Sequence, residues 1–179
     1  MTQNSSKKSF AALVGATLLL ASAAASATPV IVSAYDNNIA DGIAKISGIT
    51  LAAGQHFTAS AALDDTWNFG GGNPAYETNA DGMGWTMNIG NPDGSTLQAH
   101  FGALIGQIGS GNFFTVGTAF DGLAGNAGML KFYYVDSDRG GNIGTVSADV
   151  NVTALPEPAS MLLTGVALGA LGMARRRKA

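Results

Sequence analysis

Apolar and polar residues alternate through residues 145–152. Val146, Ala148, Val150 and Val152 fall on one side of a pleat, and Thr145, Ser147, Asp149 and Asn151 on the other. A period of two buries one face and wets the other. Residues 129–135 repeat the pattern, with Leu130, Phe132 and Tyr134 set against Met129, Lys131 and Tyr133, and aromatic residues suit a pleated surface. Similar short runs at 30–34, 43–51, 55–61, 85–89, 100–108 and 113–118 bring the expected strands to about eight. Turn-forming residues fall between them: Gly70-Gly71-Gly72-Asn73-Pro74, Asp81-Gly82, Asn91-Pro92-Asp93-Gly94, Asp121-Gly122 and Gly140-Gly141-Asn142. Each tolerates positive φ or fixes a turn. The pattern predicts an all-β domain of two packed antiparallel sheets, and no period of 20–50 residues suggests a solenoid or propeller.

The two ends break this pattern. Lys7 and Lys8 precede an apolar run over 10–21, followed by small residues ending in Ala25-Ser26-Ala27. That order is a secretory signal peptide over 1–27, helical in its apolar part, with cleavage read from Ala25 and Ala27. A permanent anchor is the weaker reading, because a spanning helix needs about 20 residues. At the other end, Pro156-Glu157-Pro158 ends the domain at 28–154. An uncharged stretch over about 159–174 follows, and Arg175, Arg176, Arg177 and Lys178 precede the final alanine. The prolines cannot sit inside a helix. The glycines of the apolar stretch are spaced for helix packing, and the cations would stay cytoplasmic. This tail over 155–179 resembles the PEP-CTERM sorting signal of bacterial envelope proteins. The resemblance implies a partner, an exosortase-type membrane protease cutting near Pro-Glu-Pro, with the C-terminal helix in the membrane before processing. A simple single-pass tail anchor is the alternative. Either way the domain is exported to the envelope, cell surface or extracellular matrix.

Composition narrows the function of the middle. Between the ends stand eleven acidic and three basic side chains, a formal charge of −8, which argues against a nucleic-acid partner. Cysteine is absent, so disulfide scaffolds, thiolate zinc sites and cysteine nucleophiles are excluded.

Candidate chemistry is sparse. The loop Asp136-Ser137-Asp138-Arg139-Gly140-Gly141-Asn142 gathers oxygen donors of the kind calcium takes. It departs from the EF-hand template, with Gly140 at position five and Ser147 at position twelve. A polar hairpin turn using Asp and Asn for local backbone bonds has the same composition. His56 and His100 each stand beside a phenylalanine in a strand-like run, and Asp64-Asp65 read as a turn before Trp67. Gly-x-Ser-x-Gly, His-Glu-x-x-His and phosphate-loop motifs are missing, so the chain does not read as an enzyme. Trp67 and Trp85 serve either as core plugs, the favoured reading, or as platforms for a sugar ring.

Several segments in order resemble the PA-I galactophilic lectin family: residues 51–58, 67–70, 91–94, Phe101-Gly-Ala-Leu-Ile-Gly-Gln-Ile-Gly109, 114–117, 130–136 and 142–147. The resemblance covers most of 45–152. It implies a small jelly-roll, galactose-binding-like β-sandwich that binds a glycan or polysaccharide through calcium held by loop oxygens. Carried over, Asp136 matches a calcium and sugar aspartate, Asn142 the second of a pair of ligands, and Gly70 a backbone-carbonyl ligand. Asp138 offers a replacement oxygen, because the first of the pair falls on Gly141. The family's sugar-contacting loop falls on Asn91 and Asp93. The expected function is an exported, exosortase-sorted carbohydrate-binding protein. The alternative is a structural matrix protein that keeps the sandwich and has lost the site.

Overall fold

The computed structural model describes residues 27–154 and 164–168. Among them, eleven strands follow in order: β1 (Thr28–Ser33), β2 (Lys45–Leu51), β3 (His56–Ser60), β4 (Trp67–Asn68), β5 (Glu77–Thr78), β6 (Asp81–Gly90), β7 (Thr96–Ile108), β8 (Phe113–Thr115), β9 (Ala119–Leu123), β10 (Gly128–Tyr134) and β11 (Ile143–Val152). The all-β expectation holds. The signal peptide with Ala25, the motif Pro156, Glu157, Pro158 and the cations Arg175, Arg176, Arg177 and Lys178 lie outside the described residues. The tail shows helix at 164–168, and among the described residues no helix is long and apolar enough to cross a membrane.

Both sheets are antiparallel. In one, β11 is the hub, pairing with β1, β3 and β4, while β9 extends from β3 and β5 from β4. The other runs β2-β10-β7-β6, with β8 also on β7. The alternation along β10 and β11 decides what lies between them: Leu130, Phe132 and Tyr134 meet Val146, Ala148 and Val150, all at most 1% exposed. Trp67 joins this core at 1% exposure. Its ring packs edge-on to Tyr134 at 4.5 Å, and Nε1–H donates to the Gly102 carbonyl at 2.7 Å. An indole that finds a partner for its N–H is buried at little polar cost.

A third layer was not expected. The outer face of the β7–β10 sheet carries Ile105, Val135 and half-buried Tyr133 and Phe113. Ile89, Ala99, Met87 and Leu97 from the far half of the β6–β7 hairpin cover it. A single sheet surface would leave those residues wet, so the hairpin folds back as an arm. The bend has two sources. β6 slips register between Met83 and Thr86, and Gly102 sits at φ +76°, where an added Cβ would lie 2.3 Å from Thr78 Cγ2. No L side chain fits there without strain.

Two expected turns are strand. Gly82, at φ +74°, lies within β6, where backbone approaches so closely that a Cβ would fall 2.7 Å from the Ala103 nitrogen. Gly122 lies within β9 opposite Phe57, with the Phe120 ring 3.0 Å from where its Cβ would be. In both cases glycine makes room for a neighbour within a strand and does not end it. Trp85 also departs from the core reading: it is 65% exposed on the bulged part of β6.

Candidate functional site

Asp136 follows β10 at the point where β7 bends. Gly102 donates to the Val135 carbonyl and Val135 to the Ala103 carbonyl, so the chain enters the loop from a clamped backbone. Asp136 is buried at 7% exposure. Its Oδ1 accepts from Ser137 N–H at 2.6 Å and from the Ser137 hydroxyl at 3.4 Å. Burial pushes its carboxyl above the ordinary value, against the Ser137 and Asn142 hydrogen bonds and with help from the Asp138 charge.

Asn142 closes the loop at 2% exposure. Its Nδ2 donates to the Asp138 carbonyl at 3.0 Å and to the Ala34 carbonyl at 3.4 Å. Its Oδ1 is buried with no donor. Leaving a buried acceptor unpaired costs about 1–3 kcal/mol. Tyr134 Oη is also buried without a partner, and burial, then the Asp136 charge, raises its pKa.

The neighbouring glycine loop is held against this one. Gly71 N–H donates to the Gly141 carbonyl at 2.8 Å. Buried Asn68 organises the loop, its Oδ1 accepting from Gly70 and Gly72 and its Nδ2 donating to the Asn73 carbonyl. Gly70 is fixed by the Tyr76 ring, which occupies the space of a Cβ, and its carbonyl accepts from Asn73 N–H at 3.2 Å. Gly141 has φ +86°, and a Cβ there would come 3.3 Å from the Gly71 nitrogen.

Asp138 takes a different part. Its carboxylate is exposed and Oδ1 accepts from Gly140 N–H at 2.7 Å, while its backbone carbonyl gathers Asn38 and Asn142. Asn38 and Asn68 hold the loops together, and residue spacing gave no sign of either.

Asn91 and Asp93 stand elsewhere. They form the β6–β7 turn, where Asn91 Oδ1 accepts from Phe113 N–H at 2.8 Å and Asp93 Oδ2 from Asn112 Nδ2 at 2.6 Å. Phe113 pairs with Gln107 and Gln107 with Lys131, five residues along the strand direction from Asp136, or about 16 Å. The structure therefore brings Asp136, Asn142 and the Gly70 loop together and leaves Asn91 and Asp93 at the other end of the sandwich. Hydrogen bonds from Ser95 and then Asn112 lower the Asp93 pKa to about 2.

The remaining polar candidates have local partners. His56 Nε2 meets Asp121 Oδ1 at 2.6 Å on the surface, His100 is exposed on β7, and Asp65 Oδ2 accepts from Ser147 N–H on β11. Among the described residues no group of three or more His, Cys, Asp or Glu is placed to hold a metal.

No family model matches the chain. No curated protein matches it either. Among solved structures, one described as "EclA N-terminal domain; PllA-like lectin" is similar at a TM-score of 0.49 and 20% identity, covering 70% of this chain and 95% of that one.

The donor set fits a hard cation. It is all oxygen, carries one buried negative charge in Asp136, and includes an amide oxygen with no hydrogen-bond donor. It is small for an ion that takes six to eight oxygens.

Proposed function

We propose that this chain is an exported, non-catalytic carbohydrate-binding protein of the bacterial envelope. Its N-terminal signal sends it out, and its tail is cut and sorted by an exosortase-type protease. The sandwich binds a glycan through calcium at the Asp136 loop. Asp136 and Asn142 Oδ1 are the first ligands, the Gly70 carbonyl a third, and Asp138 reaches the ion when its carboxylate leaves the Gly140 turn. Bound calcium would supply open coordination positions for neighbouring sugar hydroxyls. The rest is done by the chain: Asn38 and Asn142 hold the loop by its Asp138 carbonyl, and the Gly71–Gly141 bond fixes the two loops against each other.

The observation that carries this reading is the orphaned Asn142 Oδ1 beside a buried carboxylate. A buried carboxylate beside an amide oxygen that has no donor is an arrangement a cation would satisfy. The test is calorimetric titration of calcium into the EDTA-stripped chain, beside Asp136→Ala. Binding in the micromolar to millimolar range, abolished by the substitution, is expected. Absence of binding would favour the second reading, a structural matrix protein with the same export signals. The engagement of Asp138 with Gly140 supports that alternative.

A further inference from the structure

A cavity of about 560 Å³ opens at the end of the sandwich away from Asp136, between the turns that follow β7 and β9. Its floor is aromatic. Phe57, Phe114 and Phe120 pack ring to ring with centroids 4.9–6.2 Å apart. Phe57 is fully buried, while Phe114 and Phe120 are half-buried and give ring surface to the cavity. The rings are seated on glycines: a Cβ at Gly106 would fall 2.5 Å from Phe114 Cζ, and one at Gly122 would fall 3.0 Å from Phe120 Cζ.

The rim is polar, with Asp93, Asn112 and Asn126. Asp93 is a fixed anion, held by Ser95 N–H at 2.8 Å and Asn112 Nδ2 at 2.6 Å, and no Lys, Arg or His is among the residues lining the cavity. An unpaired carboxylate repels fatty acids, phosphates and uronic acids. The volume lies in the roughly 300–1,000 Å³ range of small-molecule sites, and an apolar floor with a few convergent polar groups is their usual make-up. A ring with an apolar C–H face and hydroxyls at its edge matches both surfaces: the face stacks on phenylalanine, and the edge meets the carboxylate and amides.

We propose that this cavity is a second saccharide subsite, taking a neutral pyranose without calcium. It rests on the carbohydrate-binding reading and adds a site that shares no residue with the Asp136 loop. The cavity's Phe113 stands five residues along the strand direction from Asp136, about 16 Å, so one chain would hold two separate sugars.

Saturation-transfer NMR on the full chain in EDTA tests it. The probes are the methyl glycosides of galactose, glucose and mannose, with methyl glucuronide and benzyl alcohol as controls. Transfer to the ring C–H protons of a neutral glycoside is expected, and none to the glucuronide. Phe120→Leu keeps the apolar volume but loses the ring face, and should weaken binding about tenfold. Asn126→Ala, at an exposed position, should weaken it without disturbing the core, and Asp136→Asn should leave it unchanged. Transfer to no neutral glycoside, transfer to benzyl alcohol alone, equal transfer to the glucuronide, or transfer untouched by both cavity variants would each overturn the subsite. Glycoside binding that needs calcium and vanishes in Asp136→Asn overturns the subsite but upholds the Asp136 site. EDTA-resistant binding lost in Phe120→Leu upholds the subsite even where calcium fails to bind.

Discussion

Asp136→Asn separates a buried charge awaiting a cation from a carboxylate that only shapes a turn. The substitution keeps the side chain's outline and an acceptor for Ser137 N–H, and removes the charge that burial disfavours. Without calcium, the variant should be at least as stable as the natural chain. With calcium the order reverses. A ligand that binds only the native state stabilises by RT ln(1 + [L]/Kd), about 2.7 kcal/mol at a hundred times Kd. For a domain of this size, 1 kcal/mol moves Tm by about 3–5 °C, so calcium at a hundred times the Kd read by calorimetry should raise the melting temperature by about 10 °C. In Asp136→Asn the same addition should move it by less than about 2 °C, since the one buried negative ligand is gone. Differential scanning fluorimetry in EDTA and in calcium, on both chains, gives all four values. A natural chain indifferent to calcium would refute the reasoning, as would equal calcium shifts in the two chains. A variant markedly weaker than the natural chain in EDTA would show that the carboxylate is structural.

The same carboxyl has a pH signature. Its folded pKa lies above the ordinary 3.8, so between the two values the native state binds more protons than the unfolded one, and this group's contribution is lost as pH rises through that window. Urea unfolding in EDTA across acidic pH should show the natural chain losing stability relative to Asp136→Asn as pH increases, a slope opposite to ordinary acid denaturation. Trp67→Phe leaves the Gly102 carbonyl without its 2.7 Å donor and a void beside Tyr134. The expected loss is about 2–4 kcal/mol, read from the denaturant midpoint. Gly141→Asn adds an amide oxygen at a left-handed position that asparagine tolerates, and calorimetry should show tighter calcium binding. Replacing Pro156, Glu157 and Pro158 by alanine should leave the uncut chain in the membrane fraction of the native host, where immunoblotting would otherwise show the processed form.

The strands that carry the core were legible because their periodicity is a direct consequence of burial on one face. β10 and β11 alternate in sequence as they do in the sandwich. The two-residue strands β4 and β5 had no room for a period. β9 was hidden by Asp121-Gly122, because glycine covered by a ring and glycine in a turn look alike in sequence. The folded arm was illegible for a related reason. Ile89 and Leu97 bury one side of an otherwise wet hairpin, and nothing local says that the other side of β7 also needs a cover. Trp85 shows the limit of reading size as burial: it sits where β6 bulges, with 65% of it exposed.

Within the candidate site, Asp136 and Asn142 were found by residue type and resemblance, whereas the role of Gly141 depends on backbone geometry. In sequence Gly141 stands where a ligand would be. In three dimensions it has φ +86°, and its carbonyl accepts the bond from Gly71 that joins the two loops. A Cβ would approach the Gly71 nitrogen to 3.3 Å, so a side chain here presses on the same bond that brings the Gly70 loop against Asn142. Ligand count and loop closure therefore compete at one residue. Glycine favours closure, and most side chains would lose through strain what they gained as donors. Asparagine is the side chain that offers an oxygen while tolerating the left-handed backbone. The absence of an oxygen-bearing side chain at 141 is thus a property of how the loops meet, and under the proposed calcium reading the affinity at Asp136 would be set by that clasp as much as by the oxygens around it.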